Sequence, residues 1–361
     1  IRIHDQIEQR LAHAQHTAHG PILYRQGKKA YAYRFALASE TQQIEQLYAQ
    51  MTASDLTAFY AALSLAQLGP QRLLYGDVYG NIAHFRTGRV PIRSELYRWD
   101  RPVPGNTSAT QWQGFHHQDD LIQVHNPSGG WIQDCDDAPD RITPYSSILS
   151  EGFPAYIYNH ISGPEKARSL RAKALLAFHA RITVSEAKNL ALDTYIIHSE
   201  HWLRALNRAY ASHGLALQNT YPDLGEAVEI LNRWNGRADP EETGITLYTR
   251  WQQTRGNRAI DKRQIFLHQN LTETTQKALL HSLGKVTQAL KDRYGRLQVY
   301  WKEIHRLRRN DRSWALPGSS GPNQESLRTV YTRKDGPIDD GTGGQACTTL
   351  IQFLAPGRIE A

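Results

Sequence analysis

Three aspartates follow a glycine-containing turn near the middle of the chain. The segment Asn126-Pro-Ser-Gly-Gly-Trp-Ile-Gln-Asp-Cys-Asp-Asp-Ala-Pro139 contains Asp134, Asp136 and Asp137. Adjacent carboxylates resist joint ionisation, and burial raises a carboxyl pKa further, so one of the three can stay protonated and donate a hydrogen bond. The pattern predicts a loop that takes part in chemistry. The alternative is a hydrogen-bonded loop with a purely structural role.

Two histidine pairs are candidate metal ligands. His198 and His201 lie three positions apart in a segment with helical periodicity, and this spacing places both imidazoles on one face of a helix. The sequence shows no third ligand beside them, so we interpret the pair as part of a polar helix face. His116 and His117 form a second pair, in a loop, and we interpret them in the same way.

The composition argues against a membrane-spanning protein and leaves a nucleic-acid binder as an alternative. The chain has 361 residues, 40% of them hydrophobic, and a formal charge of +7. No apolar run approaches the roughly eighteen residues that a membrane span requires. Basic residues are densest at 293–312 with aromatic residues among them, but acidic residues interrupt the run. We therefore predict a solvated helix face and no nucleic acid partner; a nucleic-acid binder is the alternative, and its affinity would fall steeply with salt.

The pattern of predicted strands and helices along the chain, with strands at both ends around a helical middle, predicts one α+β unit rather than independent domains. A Gly beside a polar residue at 79–81, between two apolar runs, predicts a β-hairpin. Apolar residues three and four apart predict helices, and the Pro-, Gly- and aromatic-rich part predicts an ordered loop packed on a sheet. The predicted regions are strand-rich 1–37, 72–93 and 325–361, ordered loop 94–163, and helical 164–310.

Four motifs in sequence order resemble the penicillin acylase family. They are Tyr75-Gly-Asp-Val-Tyr-Gly-Asn-Ile with its continuation to Arg93, Val103-Pro-Gly-Asn, Trp112-Gln-Gly-Phe and the aspartate segment 126–139. The segment His16-Thr-Ala-His-Gly-Pro-Ile resembles the family's Thr-x-His-Gly-Pro strand, and Phe153-Pro-Ala-Tyr is more similar to its acyl-homoserine-lactone and aculeacin acylases. The resemblance covers most of the chain and is strongest over 72–139.

The resemblance implies the αββα fold of N-terminal-nucleophile hydrolases, with a large helical insertion. In these enzymes a precursor cleaves itself and exposes a Ser, whose hydroxyl attacks an amide carbonyl while its own α-amino group accepts the proton. An α-amino group titrates near neutral pH, which suits this role. The present sequence begins with Ile1. We therefore expect a partial β-subunit over 1–361 that lacks the nucleophile and is inactive alone.

The resemblance also implies the setting in which the protein acts. The expected substrate is a small acylated amide, such as an acyl-homoserine lactone or a β-lactam, and the expected partner is the α-subunit from the same precursor. Catalysis needs no cofactor, and the location is periplasmic or secreted. A non-catalytic relative kept as a binding or structural protein is the alternative.

Several site residues follow from the resemblance. Asp136 takes the position of the Asn that donates a hydrogen bond to the oxyanion, and an ionised carboxylate cannot donate. Arg168 takes the position of an Arg that orients the oxyanion residue, and an Arg168–Asp136 ion pair is expected if Asp136 is ionised. Trp131 and Asp134 are candidate substrate contacts. Glu151 lies near the position of one ligand of a structural calcium ion, whose other ligands are expected upstream.

Two features remain open between a structural and a functional role. The aromatic residues of the loop region either line an acyl pocket or complete a core; they are Trp99, Trp112, Phe115 and Trp131. Cys135 and Cys347 match neither a zinc pattern nor a disulfide framework, but a single bridge between them is an option in an exported protein.

Overall fold

The computed structural model describes residues 2–3, 6–7, 14–158, 165–178, 181–258, 260–267, 270–345, 347–355 and 358–360. The chain forms two compact units. The first comprises Ile1–Pro164 and Phe353–Arg358, and the second comprises Glu165–Gln352 and Ile359–Ala361. The expectation that both belong to one partial β-subunit stays a prediction.

The first unit is built mainly from short antiparallel strands and three helices. Its strands are β1 (Arg2–Ile3), β2 (Gln6–Ile7), β3 (His16–Thr17), β4 (Gly20–Gln26), β5 (Lys29–Ala32), β6 (Gln71–Gly76), β7 (Ile82–Thr87) and β8 (Gln123–His125). Its helices are α1 (Gln43–Thr52), α2 (Leu56–Leu63) and α3 (Ala155–Tyr158), with 3₁₀ turns at Ser108–Thr110, Gln118–Asp120, Pro139–Arg141 and Ser150–Gly152. The described sheets are β1-β2, β3-β4-β5 and β6-β7-β8.

The predicted hairpin around residues 79–81 is confirmed as β6 and β7. The Asp77 carboxylate accepts hydrogen bonds from the backbone N–H groups of Tyr79 and Asn81, both at 2.9 Å, and Gly80 supplies the left-handed residue with φ 86°. Apolar side chains on this sheet pack with α2 in a small core around Phe85 and Leu63. The side chain of Asp55 caps α2 by accepting from the N–H of Ala58 at 2.8 Å.

Helix α1 exposes its apolar side chains to solvent and buries a polar one. Its apolar residues lie at i, i+3, i+4 and i+7, a pattern that ordinarily faces a core. Here they are exposed: Ile44 by 73%, Leu47 by 42%, Tyr48 by 68% and Met51 by 84%. The buried side chain of the helix is Gln46, whose Oε1 accepts from the N–H of Gln67 at 2.6 Å.

The second unit is a helical body with one sheet. Its elements are α4 (Ala167–Ala177), α5 (Val184–Ala191), α6 (Ser199–Leu217), α7 (Leu224–Arg233), α8 (Gly244–Gln252), α9 (Arg255–Arg258), α10 (Lys262–Phe266), α11 (Glu273–Tyr294), α12 (Trp301–Ile304), β9 (His305–Arg309), β10 (Arg312–Ala315), β11 (Val330–Asp335) and β12 (Ile338–Gly344). Helices α6, α7, α8 and α11 enclose a core that includes Trp202 and Trp251. Gly284 is required in α11, because a Cβ there would lie 2.3 Å from the Tyr221 ring. No helix among the described residues is both long enough and apolar enough to cross a membrane.

The basic segment 293–312 is not the helix face that its charge pattern predicts. Helix α11 ends at Gly295, whose φ of 70° stops the helix, and the chain then forms α12 and the hairpin β9-β10. Trp301 is buried and stacks on His305 with ring centroids 4.3 Å apart. Long-range strand pairing therefore overrides the helical periodicity in this part of the chain.

The sequence predicts a loop at the Gly-rich segment 336–344 and a buried strand at 347–354, and the structure differs from both predictions. The Gly-rich segment from 336 is a strand instead of a loop, because β12 pairs with β11 and β9, and these partners satisfy its backbone groups. The segment from Cys347 is not a buried strand throughout. The final pair of strands, β13 (Gln352–Ala355) and β14 (Arg358–Glu360), begins only at Gln352, and Ile351 is 53% exposed.

Candidate active site

The candidate site begins with three basic side chains on one face of the β6-β7 hairpin. His84 and Arg86 are two residues apart on β7, so their side chains project to the same side of the sheet. Arg72 on β6 lies directly opposite Arg86 in the antiparallel register, and directly opposed residues share a face. The hairpin thus presents Arg72, His84 and Arg86 together.

Asp134 is the carboxylate that this face binds. It accepts hydrogen bonds from Nη1 of Arg72 at 3.0 Å, from Nε2 of His84 at 3.1 Å and from the backbone N–H of Asp136 at 2.9 Å. Its side chain is only 12% exposed. Burial acts to raise the pKa of Asp134, but the hydrogen bond from His84 and the charge of Arg72 outweigh it, so the pKa lies below its usual range.

Asp136 lies at the solvent-facing end of the same network. Its backbone is left-handed, with φ 60°, a conformation that Asn and Asp adopt more readily than most residues. Its side chain is 57% exposed and forms an ion pair with Nη2 of Arg72. Arg72 lies between Asp134 and Asp136 and contacts both carboxylates, so the two acidic side chains share one guanidinium.

Further contacts hold the C-terminal end of the aspartate loop (residues 126–139) and the neighbouring Arg86. Asp137 is buried, and its Oδ1 accepts from the N–H of Ala138 at 2.8 Å and from Nη1 of Arg141 at 3.1 Å. Arg86 donates to the carbonyl oxygens of Ile157 and Tyr158 at 3.3 and 2.6 Å. Burial lowers the pKa of Arg86, and the nearby charge of Arg72 acts in the same direction. The loop is therefore held by specific polar contacts as well as by packing.

The aromatic residues of the loop region divide into two groups. Trp112 and Phe115 are in edge-to-face contact at 6.1 Å, and the Arg93 guanidinium lies 5.3 Å from the Trp99 ring and 5.9 Å from the Trp112 ring. Among the described residues, Trp131 makes no ring contact with these three. Trp131 is half-buried, and its carbonyl accepts from Thr143 Oγ1 at 2.9 Å. The four predicted aromatic residues thus do not form one cluster.

The remaining predicted site residues lie elsewhere. Arg168 is at the start of α4 in the second unit, where its Nε lies 3.3 Å from Oε1 of Glu325. Its pairing with Asp136 stays a prediction. Glu151 is exposed in a 3₁₀ turn. Within the described residues it belongs to no group of three potential ligands, so Glu151 by itself does not form a calcium site. Cys135 and Cys347 are not joined by a disulfide.

Arg72 and His84 are the functional candidates that sequence reasoning missed. Both lie within the predicted strand region 72–93, but the hairpin is predicted from its turn residues, which say nothing about the roles of Arg72 and His84. The sequence does contain one indication of their role. His84 and Arg86 are polar residues at alternate positions of a strand whose residues 82, 83 and 85 are apolar, so the two side chains share one face of the strand. Basic side chains that are partly buried on one face of a strand need polar or anionic partners, and Asp134 of the aspartate loop is such a partner for Arg72 and His84.

Comparison with solved structures identifies the fold. The structure is similar to that of a thermostable penicillin G acylase from Alcaligenes faecalis, with a TM-score of 0.55 and 14% sequence identity over 82% of this chain and 60% of that chain. The chain has the mixed helix-and-sheet fold of an N-terminal-nucleophile hydrolase, as predicted.

Sequence comparison identifies the family. The family model described as penicillin amidase matches residues 1–361, so the chain belongs to the penicillin amidase family. It is 26% identical to penicillin acylase 2 proenzyme of Pseudomonas sp. (strain SE83) over 307 residues, which are 84% of this chain and 35% of that protein. It is also 26% identical to penicillin G acylase of Escherichia coli over 240 residues, 66% of this chain and 26% of that protein. The chain thus spans about a third or less of these relatives.

Proposed function

We propose that the complete protein hydrolyses a linear amide bond and removes an acyl chain from a small acylated amide, such as an acyl-homoserine lactone or a β-lactam. The observation that carries the proposal is the anchored aspartate loop. Arg72 and His84 hold Asp134, and they thereby fix Asp136 in a left-handed conformation at the position where the family has its oxyanion Asn. Membership in the penicillin amidase family supports the reaction class.

The proposed chemistry uses an N-terminal Ser outside this sequence. Its hydroxyl attacks the amide carbonyl, and its α-amino group accepts the hydroxyl proton and passes it to the amine, which leaves as the C–N bond breaks. Water then hydrolyses the acyl-enzyme, which releases the carboxylic acid and restores the Ser hydroxyl. Asp136 faces the developing oxyanion, Arg168 orients that region, and Trp131 and Asp134 contact the substrate. No cofactor takes part. A structural calcium ion bound through Glu151 would need its other ligands from outside the described residues.

The test is mass spectrometry of the intact, mature gene product combined with amide hydrolysis assays. We expect a two-subunit protein whose large subunit begins with Ser and which releases a carboxylic acid from an acyl-homoserine lactone or a penicillin. An uncleaved product, or a large subunit that begins with a residue unable to act as a nucleophile, would exclude the hydrolase. Export would be seen as removal of a leader segment, because we propose a periplasmic or secreted protein.

A second candidate function is a non-catalytic binding or structural relative. The ion pair between Asp136 and Arg72 favours it, because that pair requires an ionised carboxylate, which cannot donate to an oxyanion and repels it. The two functions differ in the residue that begins the large subunit. A Ser there favours the enzyme, and any other residue favours the binding protein.

The partner that we propose is the α-subunit of the same precursor, and helix α1 is the surface that we assign to it. Four apolar side chains of α1 face away from the unit while Gln46 is buried beneath them. Such an apolar stripe marks an interaction surface. The matched 307 and 240 residues are only 35% and 26% of the two curated relatives, which leaves ample sequence for a partner segment.

Replacing Met51 with Ser should weaken association of the two subunits about tenfold, because burying a Met side chain contributes roughly 1.5–3 kcal/mol. The measurement is the dissociation constant of the separated subunits after limited denaturation. Leu96→Ser is the matched control, since Leu96 is 89% exposed against 84% for Met51 and lies outside α1. Equal effects of the two substitutions would show that α1 does not face the α-subunit.

A further inference from the structure

A second cluster of potential ligands lies in the helical unit, apart from the aspartate loop. His198, Glu200 and His201 bring one ligand atom each to within 4.8 Å of one another, and they are the one such group of His, Cys, Asp or Glu in the part of the chain that the structure describes. The sequence-based interpretation of His198 and His201 as a plain polar helix face was therefore incomplete, because it overlooked the Glu200 carboxylate as a third donor.

The geometry of the cluster suits a small divalent ion. Nε2 of His201 lies 3.2 Å from Oε1 of Glu200. Two ligands of a tetrahedral ion with bonds of about 2.0–2.1 Å are separated by roughly 3.3 Å. The two imidazole rings have centroids 5.6 Å apart and are tilted by 52°, so modest side-chain rotation brings both nitrogens to one ion.

The surroundings hold the three donors in place. Phe266 on α10 packs against both imidazoles, with ring centroids at 4.7 Å from His198 and 5.6 Å from His201. The Tyr195 hydroxyl donates to Oε2 of Glu200 at 2.8 Å. Partners of this kind orient a metal ligand, and their loss typically weakens metal binding about 10- to 100-fold. Oε1 of Glu200, on the side of His201, remains available to an ion.

The donor atoms decide which class of cation fits. The dipole at the N-terminus of α6 and the charge of Lys262 oppose any cation here, so binding depends on strong bonds to the ligands. A hard cation such as Ca²⁺ prefers oxygen ligands, and this cluster offers only the Glu200 carboxylate. A borderline ion such as Zn²⁺, Ni²⁺ or Cu²⁺ forms strong bonds to imidazole nitrogen.

We propose that His198, Glu200 and His201 form a binding site for one divalent transition-metal ion. The ion has two imidazole nitrogens and one carboxylate oxygen as protein ligands, and water completes its coordination. This site is independent of the proposed amide hydrolysis, and its test does not depend on activity.

The test is calorimetric titration of the complete, metal-free protein with ZnCl₂ after alkylation of Cys135 and Cys347, so that the thiols do not bind zinc. We expect one ion per chain, with binding weakened at least about tenfold in His198→Ala and in His201→Ala, and by about tenfold in Tyr195→Phe. His213→Ala is the matched control, because His213 lies on the same helix outside the cluster, and it should bind as the parent does. Circular dichroism confirms that each variant is folded.

Other outcomes overturn the proposal. These are the absence of zinc binding, equal weakening by His213→Ala, or full displacement of zinc by CaCl₂ at comparable concentration. Folded His198→Ala and His201→Ala variants that bind zinc as well as the parent would place the ion elsewhere. A thermal melt gives a second readout, because an ion that binds only the folded protein raises the melting temperature as its concentration rises.

Discussion

Replacing Asp136 with Asn in the complete, Ser-bearing precursor should raise kcat/KM for amide hydrolysis at neutral pH by about 10²- to 10³-fold. One oxyanion donor typically contributes this much to the rate, and an Asn amide donates where an ionised carboxylate does not. The substitution also removes a negative charge from the place where the transition state develops one.

The matched control for that substitution is Asp100→Asn. Asp100 is 56% exposed against 57% for Asp136, and it too is bound by an Arg side chain, that of Arg98 at 2.5 Å. Its replacement should leave kcat/KM unchanged. If Asp136→Asn abolishes activity while the melting temperature is retained, the assignment of Asp136 to the oxyanion position is wrong.

Replacing Arg72 with Met should lower the free energy of unfolding of the first unit by about 1–3 kcal/mol. The substitution removes the shared cation from Asp134 and Asp136 and leaves the largely buried Asp134 carboxylate with His84 and one backbone N–H. Losing one partner of a fully buried pair costs about 3–5 kcal/mol, and the partial exposure of Arg72, 34%, reduces that effect through solvent screening.

The loss of unfolding free energy caused by Arg72→Met should become smaller at acidic pH. The pKa of Asp134 in the folded protein lies below its ordinary value of 3.8. Its interactions therefore stabilise the fold above pH 3.8, and that stabilisation disappears as the pH falls through the lower folded pKa. The difference between parent and Arg72→Met, measured by urea unfolding, should be largest near neutral pH and shrink below 3.8.

Two comparisons separate this effect from a general loss of surface charge. Arg98→Met removes an Arg that is 71% exposed from a carboxylate that is also exposed, and it should cost at most about 0.5 kcal/mol. Arg72→Met combined with Asp134→Asn should cost less than the sum of the single substitutions, because the two residues are in contact. Additive losses would mean that Arg72 stabilises the unit by some route other than Asp134.

The parts of the protein that sequence reasoning predicted correctly are those that local chemistry determines. The turn between β6 and β7 depends on Asp77 and Gly80, which are three positions apart, and helix α11 (Glu273–Tyr294) lies within the region predicted to be helical. These two inferences use residues close in sequence, whose backbone preferences operate in almost any tertiary setting. The fold class followed instead from the resemblance of several short motifs, in a fixed order, to a known family.

Tertiary structure decided the features that depend on distant residues. Arg72 and His84 reach Asp134 across 62 and 50 positions, and only the register of β6 and β7 brings them to one face. The Gly-rich segment 338–344 is a strand because β11 and β9 supply its hydrogen bonds, and α1 turns its apolar stripe outward although its periodicity is that of a core helix.

The aspartate loop combines both kinds of information. Its sequence by itself predicts that Asp134 and Asp136 correspond to the two family positions, because this prediction uses only residue identity and spacing. The tertiary structure decided their electrostatics, because the energy of a carboxylate depends on which charges lie within a few ångströms. Arg72, an Arg on a neighbouring strand, links both aspartates, and its position follows from strand pairing instead of from the loop's own sequence.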